Sequence, residues 1–550
     1  MATKKRELPK TESIEEARRK FPHFDEYLKN WSEQGNPMPD FYVELDRSFG
    51  DISDPNLIYP VGDPMFIHVH NEGDGMKYDI IQPLLTDEEK EINETILDRM
   101  VELASSLPVP EDKSEMEEIL VDLMNEVVEI EGEEKSITDK VKNLFGSKIT
   151  VDRQTFEKLK YYLVRNRIGY SKLEPLFHDP WLEDLHCVGV GSMSLVHKLF
   201  GMCKSNLEFE NDYELNTYML ETTERVERPV SSRHSVVDAV MPDGSRSNFI
   251  YGRDISLEGS SFTIRKFSEV PISITQLLAW NTLDSTMAAY LWLALEHGMN
   301  IFVCGETAAG KTTTLNAMTA FVKYDAKVYS VENTPEVTLP HDIWQHLVTR
   351  EAGKDSDVTY LDLLLAALRS RPEYIIVGEI RGEEGNIAFQ AMQTGHPVTS
   401  TFHAGNINSL IQRLTNQPIS VPITSVDNLN IAVFQSAVWQ DGKMLRRVVN
   451  MQEIERYYRP QEKMINREVF SWNPSSDEFS FKGMYNSYIL ETKIATLLGY
   501  SDTRKIYDDL EERKRILDRM VELEIFEYFK VFELIKKYYI GGVSNLPFEV

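Results

Sequence analysis

The chain reads as an α/β protein built around a mostly parallel sheet, and three observations predict it. Between residues 300 and 380 the apolar runs NIFVC, AKVYSV and YIIVG are strand-like and separated by helical segments, the β-α-β alternation of a parallel sheet. GETAAGKT (305–312) stands where the first of these runs meets a helix. IIVGEIR (375–381) is a buried-strand pattern that delivers a carboxylate and a guanidinium, Glu379 and Arg381, to the strand's carboxyl end.

The other elements fall in order around this sheet. Residues 1–110 are acidic, poor in long periodic segments and broken by Pro, Gly and Asp at 35–40 and 50–63, which predicts a loosely packed N-terminal extension. From EDKSEMEEILVDLMNEVVEI (111–130) to DRQTFEKLKYYLVRNRIG (152–169) the apolar spacing is helical. Between about 180 and 267 it turns to short strands, with MPDGS marking a hairpin. Together 111–267 form one N-terminal α/β domain, and 268–282, with SEVPISITQ and Pro271, reads as a linker. LDSTMAAYLWLALEHG (283–298) is expected as an amphipathic helix opening a nucleotide-binding domain over 283–485. YILETKIATLLG, DTRKIYDDLEERKRILDRMVEL and IFEYFKVFELIKKYY predict a helical C-terminal segment over 486–550. ILDRMVEL occurs twice, at 96–103 and 516–523, without a surrounding array, which suggests two similar amphipathic helices.

Length and charge bound the function. A chain of 550 residues suggests about three to four domains. The net charge is −29, and residues 1–150, with 17 Lys+Arg against 35 Asp+Glu, carry −18 of it. Phosphate contact needs a basic face, so nucleic-acid binding is disfavoured. No apolar run approaches the length of a membrane span and MATKKRELPK lacks the core of a signal peptide, so a cytoplasmic location is expected. Cys187, Cys203 and Cys304 form no CxxC pair, which argues against a disulfide framework or a structural zinc.

The chemistry concentrates in four stretches. GETAAGKT matches G-x-x-x-x-G-K-[ST]: the backbone N–H groups of Gly305, Glu306, Thr307, Ala308, Ala309 and Gly310 and the helix's positive end can hold phosphate oxygens. Lys311 then reaches the β/γ-phosphates and the Thr312 hydroxyl takes Mg²⁺, with Thr313 beside it. VYSVENTPE (328–336) places Glu332 and Glu336 after a strand, IIVGEIR places Glu379, and TGHPVTSTFHA (394–404) carries His396 and His403. At strand ends of one sheet these groups would converge on the crevice where such folds bind ligand.

GETAAGKT, VENTPE, VGEIR and TGHPVTSTFHA, in that order, resemble the Walker A, Asp, Walker B and His boxes of the type II/type IV secretion ATPase superfamily. The acidic extension and the run GEIRGEEGNIAFQAMQTGH look most like archaeal members, the archaellum (archaeal flagellum) motor ATPase foremost, with pilus and secretion ATPases as near neighbours. The resemblance implies a RecA-like P-loop domain preceded by a PAS-like α/β domain, and ATP and Mg²⁺ as substrate and cofactor. It implies that Glu332 orients the attacking water, Glu379 holds Mg²⁺, and His403 senses the γ-phosphate with support from His396. Asn333, where an Asp is usual, leaves the division of labour between Glu332 and Glu336 open. Arg246, Arg253 and Arg265 lie in the preceding domain. The resemblance has such arginines complete a site at a subunit boundary in a homo-hexamer, whereas local pairing with Asp238, Asp243, Asp254 or Glu258 would make them structural. Its implied partners are a polytopic membrane platform protein and accessory cytoplasmic motor proteins, with the ring on the cytoplasmic face of the membrane. The rivals are an ATPase moving protein or DNA through a secretion channel, a nucleotide switch or small-molecule kinase, and a scaffold that binds nucleotide structurally.

Overall fold

A computed structural model describes residues 9–46, 49–50, 52–73, 75–104, 110, 113–132, 148–267, 270–350, 357–440 and 443–550. The chain divides into two units, Met1–Phe267 and Ser268–Val550. Both mix helices and sheet. Among the described residues no helix is long and apolar enough to cross a membrane.

The first unit is organised by a ten-stranded sheet. Its C-terminal half is antiparallel, from Gly201–Phe209 through Gly191–His197, Leu182–Val188, Ser261–Arg265 and Arg246–Ile250 to Val236–Val240. The MPDGS hairpin joins the last two strands of that order, with Gly244 N–H donating to the Met241 carbonyl at 2.8 Å. Within the 1–110 segment expected as a loose extension, residues 56–81 form sheet. Asn56–Gly62, Met65–Asn71 and Met76–Ile81 pair antiparallel, and the last joins Gly201–Phe209 in parallel, so these residues extend the same sheet. The cause lies in the period: MFIHVHN and KYDII alternate as strands do. They bury Met65, Phe66, Ile67 and Tyr78 completely.

The second unit is a nine-stranded mixed sheet. Six strands run parallel in the order Trp344–Val348, Val328–Glu332, Tyr374–Ile380, Val398–Phe402, Ile301–Gly305 and Ile431–Gln440. Lys443–Tyr458, Lys463–Asn473 and Glu478–Phe481 then continue it antiparallel, a meander that the sequence reading did not anticipate. Both faces of the parallel part are covered, which is why Ile301–Gly305 and the start of Tyr374–Ile380 are continuously apolar. Along Ile301–Gly305 the side chains alternate, Ile301 and Val303 entering one core and Phe302 and Cys304 the other.

The helix Ser285–Glu296 departs from expectation. Met287 to Leu295 are all buried, so it is apolar all round and central rather than amphipathic. The C-terminal helices Ile506–Glu522 and Tyr528–Gly541 close over it and share its core. Trp292 donates to Tyr539 Oη (2.8 Å), which donates to the Phe321 carbonyl (2.7 Å). Tyr528 Oη lies 2.9 Å from Thr319 Oγ1, tying the C-terminal segment to the helix after the GETAAGKT loop. The two ILDRMVEL copies both serve as core-facing helix surface, through Ile96 and Met100 and through Ile516, Leu517 and Met520. Residues 268–269 of the expected linker lie outside the described residues, but Ile274–Ala279 is a helix capped by Ser273 whose Ile274 and Leu277 enter the core.

Arg513 and Glu296 form an ion pair at 2.7 Å with side chains only 8% and 14% exposed. Removing one partner of a buried pair strands the other charge, so Arg513→Ala is expected to cost about 3–5 kcal/mol. The measurement is the denaturant midpoint of the full chain; an unchanged midpoint would contradict a structural role for the pair.

Candidate active site

Parallel pairing sets the carboxyl ends of six strands along one edge. Val331 stands opposite Val377, Glu379 opposite Thr401, and Cys304 opposite both Phe402 and Phe434. The edge therefore collects the GETAAGKT loop, Glu332, Glu379 and His403. His396 precedes the strand Val398–Phe402 and so lies at the opposite edge, where its Nδ1 sits 3.1 Å from Thr394 Oγ1. Five strand residues at about 3.3 Å each separate it from that edge, which removes it from the supporting role expected for it.

The helix Lys311–Thr319 starts at Gly310, which has φ +89° and no capping side chain. A Cβ there would be strained by that φ and would come within 3.0 Å of Arg446 Cδ and Gln435 Nε2. Its first-turn N–H groups thus have no side-chain acceptor, and the loop before them includes Ala308 at φ +62°. Such uncapped donors at a helix's positive end suit an anion. Glu306, Thr307 and Ala308 are exposed, Ala309 is buried, and Thr312 and Thr313 are half-buried on the first turn. Lys311 Nζ donates to the Glu306 carbonyl at 2.9 Å. Burial lowers the Lys311 ammonium from the usual lysine range, and the Glu379 carboxylate opposes that shift.

Glu379 owes its placement to Gly378. The pairing with Val398–Phe402 shifts register between Val377 and Glu379, a bulge that re-aims the side chain that follows. Gly378 also gives room: a Cβ would lie 3.0 Å from Glu332 Cγ. Arg381 bonds Glu379 Oε2 through Nη2 (2.5 Å) and Nε (2.9 Å), while its own N–H donates to Glu384 Oε1 at 2.6 Å. Arg381 thus steadies Glu379.

Glu332 is 2% exposed and heavily bonded. Its Oε1 accepts from the N–H groups of Glu336 and Val337, both at 3.0 Å, and its Oε2 lies 2.8 Å from His346 Nε2. His346, on the neighbouring strand, stacks on Trp344. Glu336 is half-buried, and its charge, after that of Glu379, weakly opposes the lowering of the Lys311 ammonium by burial. His403 is half-buried, and its carbonyl accepts from Arg413 Nη1.

Arg246, Arg253 and Arg265 belong to the first unit. Arg253 pairs with Asp212 at 2.8 Å, and Arg265 lies 3.8 Å from Glu183 and 3.7 Å from Asp184. Arg246 stands directly opposite Arg265 across two strands, a like-charge placement that is unfavourable by itself. For Arg253 and Arg265, Asp212, Glu183 and Asp184 take the place of the acids weighed from the sequence.

Three side chains escaped the sequence reading. Gln435 accepts from Thr314 Oγ1 at 2.7 Å, Arg446 Nε donates to the Ala308 carbonyl at 3.1 Å, and His346 backs Glu332. A polar residue closing the apolar run IAVFQ was the available signal for Gln435.

The donors fit a nucleoside triphosphate with Mg²⁺: amides and an ammonium for phosphate oxygens, and the Thr312 hydroxyl with the Glu379 carboxylate for a hard cation. The model of the family described as type II/IV secretion system protein matches residues 196–436. Uncharacterized protein MJ0900 of Methanocaldococcus jannaschii is 49% identical over 543 residues, 98% of each chain. The type IV secretion system protein VirB11 of Brucella suis is 28% identical over 278 residues, 44% of this chain and 75% of that protein. Among solved structures, the pilus retraction motor PilT with bound ADP is 18% identical over 58% of this chain and 84% of that one, at a TM-score of 0.37. With a relative matched almost end to end and a family match that spans the loop and the strand ends carrying Glu332 and Glu379, the chain belongs to the type II/IV secretion system protein family.

Proposed function

We propose that this protein is an ATP-hydrolysing motor that works as a homo-hexameric ring. It drives assembly or rotation of an archaeal surface filament, an archaellum, through a polytopic membrane platform protein and accessory cytoplasmic motor proteins, from the cytoplasmic face of the membrane. The observation that carries the reading is the convergence of Lys311, Glu332 and Glu379 on one sheet edge beside an uncapped helix start. The match to Methanocaldococcus jannaschii along the whole chain supports the archaeal branch. In this reading residues 268–550 contain a RecA-like core and the antiparallel strands before it belong to a PAS-like domain.

The residues divide the work as follows. Loop amides 305–310 and Lys311 hold the β- and γ-phosphates of ATP. Thr312 and Glu379 would hold Mg²⁺, which when bound would supply positive charge to neutralise the phosphate oxygens. Glu332 accepts a proton from the attacking water, and His403 contacts the γ-phosphate. In the ring Arg253 and Arg265 exchange their local acid partners, and Arg246, Arg253 and Arg265 reach the site of a neighbouring subunit, where a guanidinium is worth about 10³–10⁵ in turnover.

The purified full chain is expected to release phosphate from ATP with no acceptor present, to respond to lipid, and to scatter light with the mass of six chains. A monomer without turnover under those conditions sinks the reading, and turnover that needs a small acceptor points to a kinase. DNA-stimulated hydrolysis would favour a conjugation-type transporter, which the net charge of −29 disfavours.

A further inference from the structure

We propose that His68, His70 and Asp79, with Tyr27, form a binding site for one transition-metal dication of the zinc type, far in sequence from the nucleotide loop. His68 and His70 are two apart on the strand Met65–Asn71 and therefore share a face. Asp79 stands directly opposite His68 on the strand Met76–Ile81. The helix Pro22–Glu33 covers this face, its Trp31 ring lying 4.6 Å from the His68 ring and 4.7 Å from that of His70. His68 and His70 are 0% and 3% exposed.

The donor atoms already face one another. One ligand atom from each of His68, His70 and Asp79 falls within 4.8 Å of the others. His70 Nε2 is 3.1 Å from Asp79 Oδ2, and Tyr27 Oη is 2.8 Å from His68 Nδ1 and 3.0 Å from Asp79 Oδ2. Tetrahedral zinc with bonds of about 2.0–2.1 Å spaces its ligand atoms by roughly 3.3 Å, so small side-chain shifts suffice. Two imidazoles and a carboxylate suit zinc better than calcium or magnesium. The sequence expectation of no structural zinc rests on the absence of paired cysteines, and this set, which uses no cysteine, departs from it.

The outward nitrogens are placed as those of metal-bound imidazoles are. Histidine ligands hand their other nitrogen to an oxygen acceptor, and His68 Nε2 lies 2.8 Å from Asn56 Oδ1. His70 Nδ1 is buried and has no hydrogen-bond partner, yet Glu72 Oε1 stands 4.0 Å away. With a metal on Nε2, Nδ1 carries a proton, and closing that 4.0 Å gap to Glu72 would give the orphaned atom its acceptor. The ion would fasten the helix Pro22–Glu33 to the strands beneath it, coupling metal affinity to folding.

The test uses the full chain, stripped with a chelator and titrated with ZnSO₄ or CoCl₂ in excess Mg²⁺ without nucleotide. One zinc retained per chain and tetrahedral cobalt absorption bands are expected, with loss of both in His70→Gln and Asp79→Asn. Glu72→Gln alters a half-exposed residue outside the ligand set and should keep the fold by circular dichroism while weakening zinc binding about 10–100-fold. If the ligand variants do not fold, Glu72→Gln and a zinc-induced rise in wild-type melting temperature decide. Wild-type chain that retains no zinc at micromolar metal, or Glu72→Gln that binds like wild type, overturns the proposal.

Discussion

Lys311→Ala is expected to lower ATP turnover by at least about 10²–10³-fold, the scale set by removing one preorganised charge-stabilising donor, while the fold persists. The fold should persist because the lysine's one described hydrogen bond, to the Glu306 carbonyl, is exposed. Such a bond contributes about 1 kcal/mol. The helix that follows is held by other means: Thr314 bonds the buried Gln435, and Leu315 and Met318 lie in the core. Catalysis should not persist, because the ammonium is the cation placed beside the uncapped amides of the loop and next to Glu379. The check is steady-state phosphate release with circular dichroism on the same preparation. Unchanged hydrolysis with an intact spectrum would remove the ATPase reading altogether; lost hydrolysis with a lost spectrum would call for Lys311→Met as the second variant.

What could be read from the sequence follows a physical rule of range. GETAAGKT and the carboxylates of VENTPE and VGEIR were legible because each depends on a few consecutive residues: a loop, a strand end, a helix start. The partners of those residues were not. His346 meets Glu332 only because Trp344–Val348 pairs with Val328–Glu332, and Arg446 meets the loop only through the meander after Ile431–Gln440. His396 was misplaced for the same reason: seven residues from His403 in sequence, it lies on the other side of a strand that runs edge to edge. Acidity hid the strands of 56–81, since overall charge reports the surface while the alternation of MFIHVHN reports the sheet. The Ser285–Glu296 helix keeps its polar residues Ser285, Thr286 and Glu296 at its ends, and its unbroken apolar centre, Met287 to Leu295, is the signal of a buried rather than an amphipathic helix.

The division between Glu332 and Glu336 yields the second large effect. Glu332→Gln is expected to cut kcat about 10²–10⁴-fold, the usual contribution of a positioned base, with nucleotide binding retained. A carboxylate offers about four lone-pair sites; the N–H groups of Glu336 and Val337 and the ring of His346 account for three. One is left for a water, and the other three fix where it points. Glutamine keeps the shape and can still accept both backbone N–H groups through its oxygen. Its amide can turn a proton toward His346 Nε2, so the 333–337 loop stays in place while the base is lost. Glu336→Gln, which changes a half-buried residue and leaves the Glu332 anchor untouched, should cost far less. Rapid-quench turnover of both variants, with nucleotide affinity measured alongside, separates the roles. Near-normal kcat in Glu332→Gln, with a collapse in Glu336→Gln, would reverse the assignment and make Glu332 the scaffold that holds Glu336 at the sheet edge.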